Sequence, residues 1–114
     1  MSELSSSLAL RLDADKLAQR LRNGRSVLFE PAHPPVGVPW GMVLMVDPVT
    51  RPLCAGDVVL LVEPTLQAVR VYRVRAHLMW VHGYEEPLPI EHALGLARTP
   101  PLSFLQRLRA WWAR

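Results

Sequence analysis

Apolar residues recur in short runs along the middle of the chain, and turn-forming residues separate these runs. Several runs alternate with the period of two that a half-buried strand requires. The pattern predicts strands over residues 26–29, 42–46, 57–62, 68–75, 78–81 and 93–97. Asp47-Pro48, Gly56 and His82-Gly83 supply the turn chemistry between them. We therefore expect a mainly β fold (β-rich α+β), with a compact, coiled antiparallel sheet or a small barrel.

The period changes to that of a helix near the N-terminus. Asp13 is a good N-cap residue, and Leu17 and Leu21 lie one turn apart on a single helical face. Gly24 follows, and glycine tolerates the left-handed conformation that ends many helices. The pattern predicts a helix over residues 14–22, which is too little helix for a helix-turn-helix DNA reader.

A second amphipathic helix is predicted at the C-terminus. Residues 99–101 break the strand pattern with two prolines, and a helical period runs over residues 102–112. The helix carries Phe104, Trp111 and Trp112, together with arginines but no acidic residue. These aromatic residues are candidate contacts with a partner groove, although packing of the helix on its own sheet stays equally open. Membrane association is less favoured, because the helix is short and carries few charges.

Length and composition indicate a single globular domain of 114 residues, of which 50% are hydrophobic and 20% charged. It divides into an N-terminal extension over residues 1–25, a β domain over residues 26–98 and the C-terminal helix over residues 99–114. No apolar run reaches the roughly 18 residues that a spanning helix needs, and residues 1–10 lack the basic start of a signal peptide. Since Cys54 is the single cysteine, we expect a cytoplasmic protein.

The sequence offers no recognisable metal or cofactor site. The candidate metal ligands are His33, His77, His82, His92 and Cys54. None of them occurs at the paired spacing that zinc sites use, and no glycine-rich phosphate loop with its lysine is present. We expect neither a metal nor a cofactor.

Three arginines lie within the strand predicted over residues 68–75. Strict alternation places Arg73 with Val69 on one face and Arg70 with Val74 on the other. A basic stripe split between two faces, without aromatic residues interleaved, is typical of a solvated strand edge. The pattern predicts against direct nucleic-acid binding.

A series of short motifs follows in a fixed order. They are Ala-His-Pro-Pro at residues 32–35, Gly-Met-Val-Leu-Met-Val-Asp-Pro at 41–48, Cys-Ala-Gly-Asp-Val-Val-Leu-Leu at 54–61, Val-Tyr-Arg-Val at 71–74, Leu-Met-Trp-Val at 78–81 and a closing segment rich in small residues at 91–97. In this order and spacing, residues 30–98 resemble the LexA-like and signal-peptidase-like serine peptidases. The resemblance implies the same β-rich architecture.

The resemblance fails at the two positions that carry catalysis in that family. Its nucleophilic serine corresponds to Ala32, and its general-base lysine corresponds to Tyr72. Alanine has no nucleophile, and tyrosine, with a pKa near 10, is a poor proton acceptor at neutral pH. The only lysine, Lys16, lies outside the similar segment. The resemblance therefore implies a pseudopeptidase without catalytic residues.

A peptidase-like domain without catalysis suggests a protein-interaction module, with a regulatory role. Its groove would bind a peptide strand by β-augmentation, with Ala32 and Tyr72 as candidate partner-binding residues. The resemblance also implies a homodimer. Two alternatives stay open: a serine peptidase with an atypical dyad of Ser26 and a histidine such as His33, and a regulatory subunit of a transcription or DNA-damage response that works with a DNA-binding partner.

Overall fold

The computed structural model of the chain describes residues 14–62, 65–100 and 106. Within these ranges the elements in chain order are α1 (Ala14–Arg22), β1 (Val27–Phe29), β2 (Leu44–Asp47), β3 (Val58–Leu61), β4 (Gln67–Arg75), β5 (Leu78–Val81), β6 (Leu88–Pro89), a 3-10 turn (Ile90–His92) and β7 (Gly95–Arg98). The predicted first helix is confirmed, and the six predicted strands are confirmed with ends that differ by at most two residues. The helix predicted over residues 102–112 lies outside the described residues, apart from the exposed Gln106.

The helix α1 ends where its sequence predicts, whereas the predicted N-cap Asp13 lies outside the described residues. Asp15 lies in its first turn and Arg20 and Arg22 lie in its last turn, where these charges complement the helix dipole. The amide of Arg25 donates to the carbonyl of Arg20, and the amide of Gly24 donates to that of Leu21. This pair of hydrogen bonds is a Schellman motif, which ends the helix. No helix within the described residues is long and apolar enough to cross a bilayer.

The strands form one antiparallel sheet in the order β1-β2-β7-β3-β4-β5-β6. The predicted mainly β fold is confirmed, and the sheet stays open between its edges β1 and β6 rather than closing into a barrel. The last strand, β7, lies between β2 and β3. A Cβ atom at Gly95 would lie 2.5 Å from Val46 Cγ1 and 2.8 Å from the carbonyl oxygen of Asp47. Glycine at this position therefore allows β7 to approach β2.

Apolar side chains on both faces of the sheet form two cores. The first core lies on the face covered by α1, and its buried members are Leu17, Leu21, Val27, Phe29, Leu44, Val46, Val58, Leu60 and Ala68. The buried members of the second core are Leu53, Val59, Leu61, Val69, Val71, Met79, Val81 and Ala93. Alternate residues of β3 belong to the two cores, and all of its side chains are buried. This strand is therefore the centre of the fold.

A β-bulge in β4 changes which side chains share a face. Val71 pairs with Val81 and Arg73 pairs with Trp80, so that Tyr72 is the extra residue on the bulged strand. After the bulge Val74 joins the second core. The predicted strict alternation is therefore wrong beyond Tyr72: Arg73 points away from the second core, because one inserted residue shifts the phase of every later side chain.

Candidate functional site

The loop between β1 and β2 exposes large apolar side chains. We call residues 31–41 the proline-rich loop, and it contains the exposed Ala32. Trp40 is 75% exposed and Val36 is 61% exposed. The ring of His33 meets the ring of Trp40 edge-on, with 6.1 Å between the ring centroids. Most of this tryptophan surface is therefore free to meet another molecule.

Arg70 of β4 holds the proline-rich loop in place. Its Nε donates to the carbonyl oxygen of Val36 at 2.6 Å, and its Nη1 donates to the carbonyl oxygen of Gly56 at 2.6 Å. Both acceptors are neutral carbonyls, so the hydrogen bonds leave the charge of the guanidinium uncompensated. One arginine thus ties two irregular segments to the same strand.

The segment that contains Gly56 has its own internal support. We call residues 51–57 the acidic turn. The carboxylate of Asp57 accepts two hydrogen bonds from the guanidinium of Arg51, each at 2.9 Å, and one from the amide of Cys54 at 2.7 Å. The hydrogen bonds from Arg51 lower the pKa of Asp57, and partial burial opposes this effect only in part. The carboxylate is therefore held ionised as a structural acceptor rather than as a catalytic acid.

Ser26 and His33, which the sequence suggests as an atypical dyad, each contact another residue in the structure. The hydroxyl of Ser26 donates to Asp47, which also accepts a hydrogen bond from Nε of Arg98. Partial burial raises the pKa of Asp47, but the hydrogen bonds from Arg98 and Ser26 outweigh it, so that its pKa lies below the ordinary value. A carboxylate of lowered pKa is a weak base and activates a serine poorly. The ring of His33, meanwhile, lies against Trp40.

Tyr72, which the resemblance aligns with the family's lysine, lies in an aromatic and basic patch on β4 and β5. Its side chain is 47% exposed, and its ring centroid lies 5.0 Å from that of His82. Beside this pair the guanidinium of Arg73 lies over the ring of Trp80, 4.8 Å from the centroid. The structure therefore places Tyr72 on an exposed surface with aromatic and basic neighbours.

Ala32 and Tyr72, the two predicted partner-binding residues of the β domain, belong to segments that Arg70 links. Ala32 lies in the loop that Arg70 holds, and Tyr72 follows Arg70 by two residues on β4. The amide of His82 also donates to the carbonyl of Arg70, which joins the loop anchor to the patch around Tyr72. The proline-rich loop and the outer side of β4 are thus linked through Arg70. Sequence reasoning missed Trp40, although a tryptophan among prolines and glycines is a recognisable sign of an exposed anchor.

A cleft of about 200 Å³ opens beside Arg70. Three charged side chains line it: Asp57, Arg70 and Arg98. Each already has a partner, since Asp57 binds Arg51, Arg98 binds Asp47, and Arg70 binds the two carbonyls. Within the described ranges, no group of three or more His, Cys, Asp or Glu residues is placed to hold a metal ion.

The predicted partner contacts Phe104, Trp111 and Trp112 lie outside the described residues. Comparison of the chain with protein-family models, with curated proteins and with solved structures finds no match. The similarity of residues 30–98 to LexA-like and signal-peptidase-like peptidases therefore stays a prediction based on short sequence motifs.

Proposed function

We propose that this chain is a catalytically inactive, peptidase-like domain that binds a protein partner through the proline-rich loop. The observation that carries the proposal is the 75% exposure of Trp40 on a loop that Arg70 holds to the sheet. Tryptophan is enriched among the residues that dominate the energy of protein interfaces. A large side chain exposed on an anchored segment is a ready contact for such an interface.

The composition of the loop favours a protein surface as the ligand. Residues 31–41 include four prolines and no Asp, Glu, Lys or Arg. Interface cores are depleted of charged residues and enriched in aromatic ones. Prolines and the hydrogen bond from Arg70 to Val36 restrict the free loop, which lowers the entropy lost on binding. We infer that the partner presents an apolar pocket for Trp40, with Val36 at its rim.

The absence of catalysis rests on residues rather than on the fold. Ala32 offers no nucleophile, and the hydroxyl of Ser26 is bound to a carboxylate of lowered pKa. Purified protein incubated with peptides and analysed by mass spectrometry is expected to give no cleavage. Cleavage that disappears in Ser26→Ala would contradict the proposal and support the atypical peptidase.

The interaction is tested by placing a photo-activatable cross-linking residue at position 40 or at position 49 in the native host. Val49 is the matched control, because it is an apolar residue that is 41% exposed outside the loop. We expect one protein to cross-link from position 40 and not from position 49. Purification of that protein and titration with the wild-type chain and with Trp40→Ala then measures the affinity, which we expect to fall at least about tenfold in the variant.

The same cross-linking experiment shows which kind of protein binds the loop. A second copy of the chain cross-linked from position 40, with dimerisation that Trp40→Ala abolishes in light scattering, would identify the homodimer that the resemblance implies. A DNA-binding protein would favour the regulatory role. Equal cross-linking from both positions, or equal affinity of wild type and Trp40→Ala, would contradict binding through the loop.

The proposal also assigns the domain to the cytoplasm. Cys54 is a free, exposed thiol, which suits a reducing compartment. Alkylation of intact cells followed by mass spectrometry is expected to find Cys54 reduced, whereas a mixed disulfide at this position would contradict the assignment. Phe104, Trp111 and Trp112 stay predicted contacts of the C-terminal segment, and a Trp111→Ala/Trp112→Ala variant belongs in the same titration.

A further inference from the structure

The bulge at Tyr72 gathers aromatic and basic side chains on one face of the β4–β5 hairpin. The second core takes Val69, Val71 and Val74 from β4 and Met79 and Val81 from β5. The remaining face of the hairpin, which we call the outer hairpin face, therefore carries Tyr72, Arg73, Arg75, Leu78, Trp80 and His82. Without the inserted residue, Arg73 would point into the second core.

The side chains of the outer hairpin face are arranged in pairs across the two strands. Arg73 and Trp80 are directly opposite, with 4.8 Å from the guanidinium carbon to the ring centroid. The rings of Tyr72 and His82 are 5.0 Å apart and tilted by 53°. Each pair combines an aromatic ring with a basic side chain. Cross-strand contacts of this kind hold the rings in place before any ligand arrives.

This face has an excess of positive charge. Residues 65–84 contain Arg70, Arg73, Arg75, His77 and His82 and no aspartate or glutamate. Across the described part of the chain, the ion pairs between arginine and a carboxylate are those of Arg51 with Asp57 and of Arg98 with Asp47. The charges of Arg73 and Arg75 are thus not neutralised by an acid within that part. An anionic ligand would neutralise these two charges.

We propose that the outer hairpin face binds single-stranded nucleic acid. Tyr72 offers an exposed ring on which an unpaired base stacks, and the guanidinium of Arg73, which lies over the half-buried ring of Trp80, offers a second planar surface. Arg73 and Arg75 also supply positive charge for the phosphates. Stacking requires unpaired bases, so the face discriminates against a duplex. The sequence-based argument against nucleic-acid binding assumed that Arg73 faces away from Arg70 and that no aromatic residue is interleaved. The bulge removes the first premise, and Tyr72 on β4 with Trp80 opposite Arg73 on β5 removes the second. This inference concerns a surface other than the proline-rich loop and goes beyond the proposed protein binding.

The test is fluorescence anisotropy of the full chain with a labelled single strand of about 12 nucleotides, as DNA and as RNA. We expect saturable binding at low salt that weakens steeply as salt is added. The same strand annealed to its complement is expected to bind more weakly. A poly-glutamate peptide of similar length is expected not to compete at equal charge, since it offers nothing to stack.

Variants separate stacking from charge. Tyr72→Ser and Trp80→Leu are expected to weaken binding about tenfold each, whereas Tyr72→Phe, which keeps the ring, retains the affinity of the wild type. Arg73→Gln is expected to reduce the slope of log affinity against log salt by about one. Arg25→Gln is the matched control, because it removes the same charge from an exposed residue beyond α1 and is expected to leave the affinity nearly unchanged.

Three results would overturn the inference. They are the absence of oligonucleotide binding by the wild-type chain at low salt, equal competition by poly-glutamate, and an unchanged affinity of Tyr72→Ser and Trp80→Leu with circular dichroism like that of the wild type. Equal competition would assign the face to an acidic protein segment instead. Trp40→Ala is expected to keep oligonucleotide binding, so the failure of the loop proposal and the failure of this one are distinguishable.

Discussion

The proline-rich loop (residues 31–41) and the acidic turn (residues 51–57) are two irregular segments that Arg70 ties to the same strand, but they are stabilised differently. The turn is closed by its own groups: Asp57 accepts hydrogen bonds from Arg51 and from the amide of Cys54. Its backbone is also bonded to Val71 of β4 in both directions. The loop contacts β4 through the side chain of Arg70, and its backbone hydrogen bonds to itself form two local turns.

The two segments differ in the side chains that they bury and expose. The acidic turn buries Leu53 in the second core. The loop packs the partly buried Val38 against the first core but leaves Trp40 and Val36 exposed. A segment held by its own backbone and by a buried side chain keeps its shape with little help from outside. The loop is held by Arg70 and by Val38, so the side chains of Val36 and Trp40 are left free to meet a partner.

The largest expected effect is the loss of Asp57. Asp57→Ala removes the acceptor for Arg51 and for the amide of Cys54, and the aspartate side chain is only 14% exposed. We expect the free energy of unfolding to fall by about 2–3 kcal/mol, measured by urea denaturation. Asp57→Asn is the control, because its amide oxygen still accepts from Cys54, and we expect a smaller loss. Two variants as stable as the wild type would show that the turn does not depend on its carboxylate.

Acid should weaken the turn and spare the loop. Because the pKa of Asp57 is lowered in the folded protein, its ionised form contributes stability above the unfolded value of about 4. That contribution is lost as the pH falls through the lowered folded value, and Asp47 behaves in the same way. We expect urea midpoints to decrease below about pH 4 and the decrease to be smaller in Asp57→Asn. The hydrogen bonds from Arg70 should persist in this range, because both of their acceptors are backbone carbonyls, which do not titrate. A rise in stability on acidification would contradict this account.

Arg70→Met should affect the proline-rich loop more than the acidic turn. It removes the hydrogen bonds to Val36 and Gly56, and we expect the free energy of unfolding to fall by about 1–2 kcal/mol. Amide hydrogen exchange should accelerate at Val38 in the loop and stay nearly unchanged at Val71, which is bonded to the turn by backbone alone. Arg70→Lys, which cannot reach both carbonyls with a planar fork, should give an intermediate result. Equal acceleration at both amides would show that the two segments do not differ.

The smallest effect on stability is expected for Trp40→Ala. Because the side chain is 75% exposed, its removal should change the free energy of unfolding by less than about 0.5 kcal/mol while it weakens partner binding. The measurement is urea denaturation beside the binding titration. Val49→Ala is the control for loss of an exposed apolar side chain elsewhere. A destabilisation above about 1 kcal/mol would place Trp40 in a packed environment and remove the basis of the proposed function.

Local patterns were sufficient to predict most elements of the fold. The helix α1 and six strands follow from periods and turn residues that act over a few neighbours. The strand β6 is missing from the prediction, since two residues ending in Pro89 carry no period. For the candidate site, the predicted contacts Ala32 and Tyr72 are both exposed. The sequence did not predict the exposed anchor Trp40, the loop anchor Arg70 or the contact of Trp80 with Arg73. Their roles depend on contacts between segments that are distant in sequence.

The sequence by itself determined where this chain turns, which residues alternate toward a core as far as the bulge at Tyr72, and that Ala32 and Tyr72 cannot act as a serine–lysine pair. These properties belong to residues and their near neighbours. The tertiary structure alone decided that β7 lies between β2 and β3, that Arg70 binds Val36 across 34 residues, and that the bulge turns Arg73 toward Trp80. These features arise from pairing and packing between distant segments. A single inserted residue in a ladder changes a whole face without leaving a local signal.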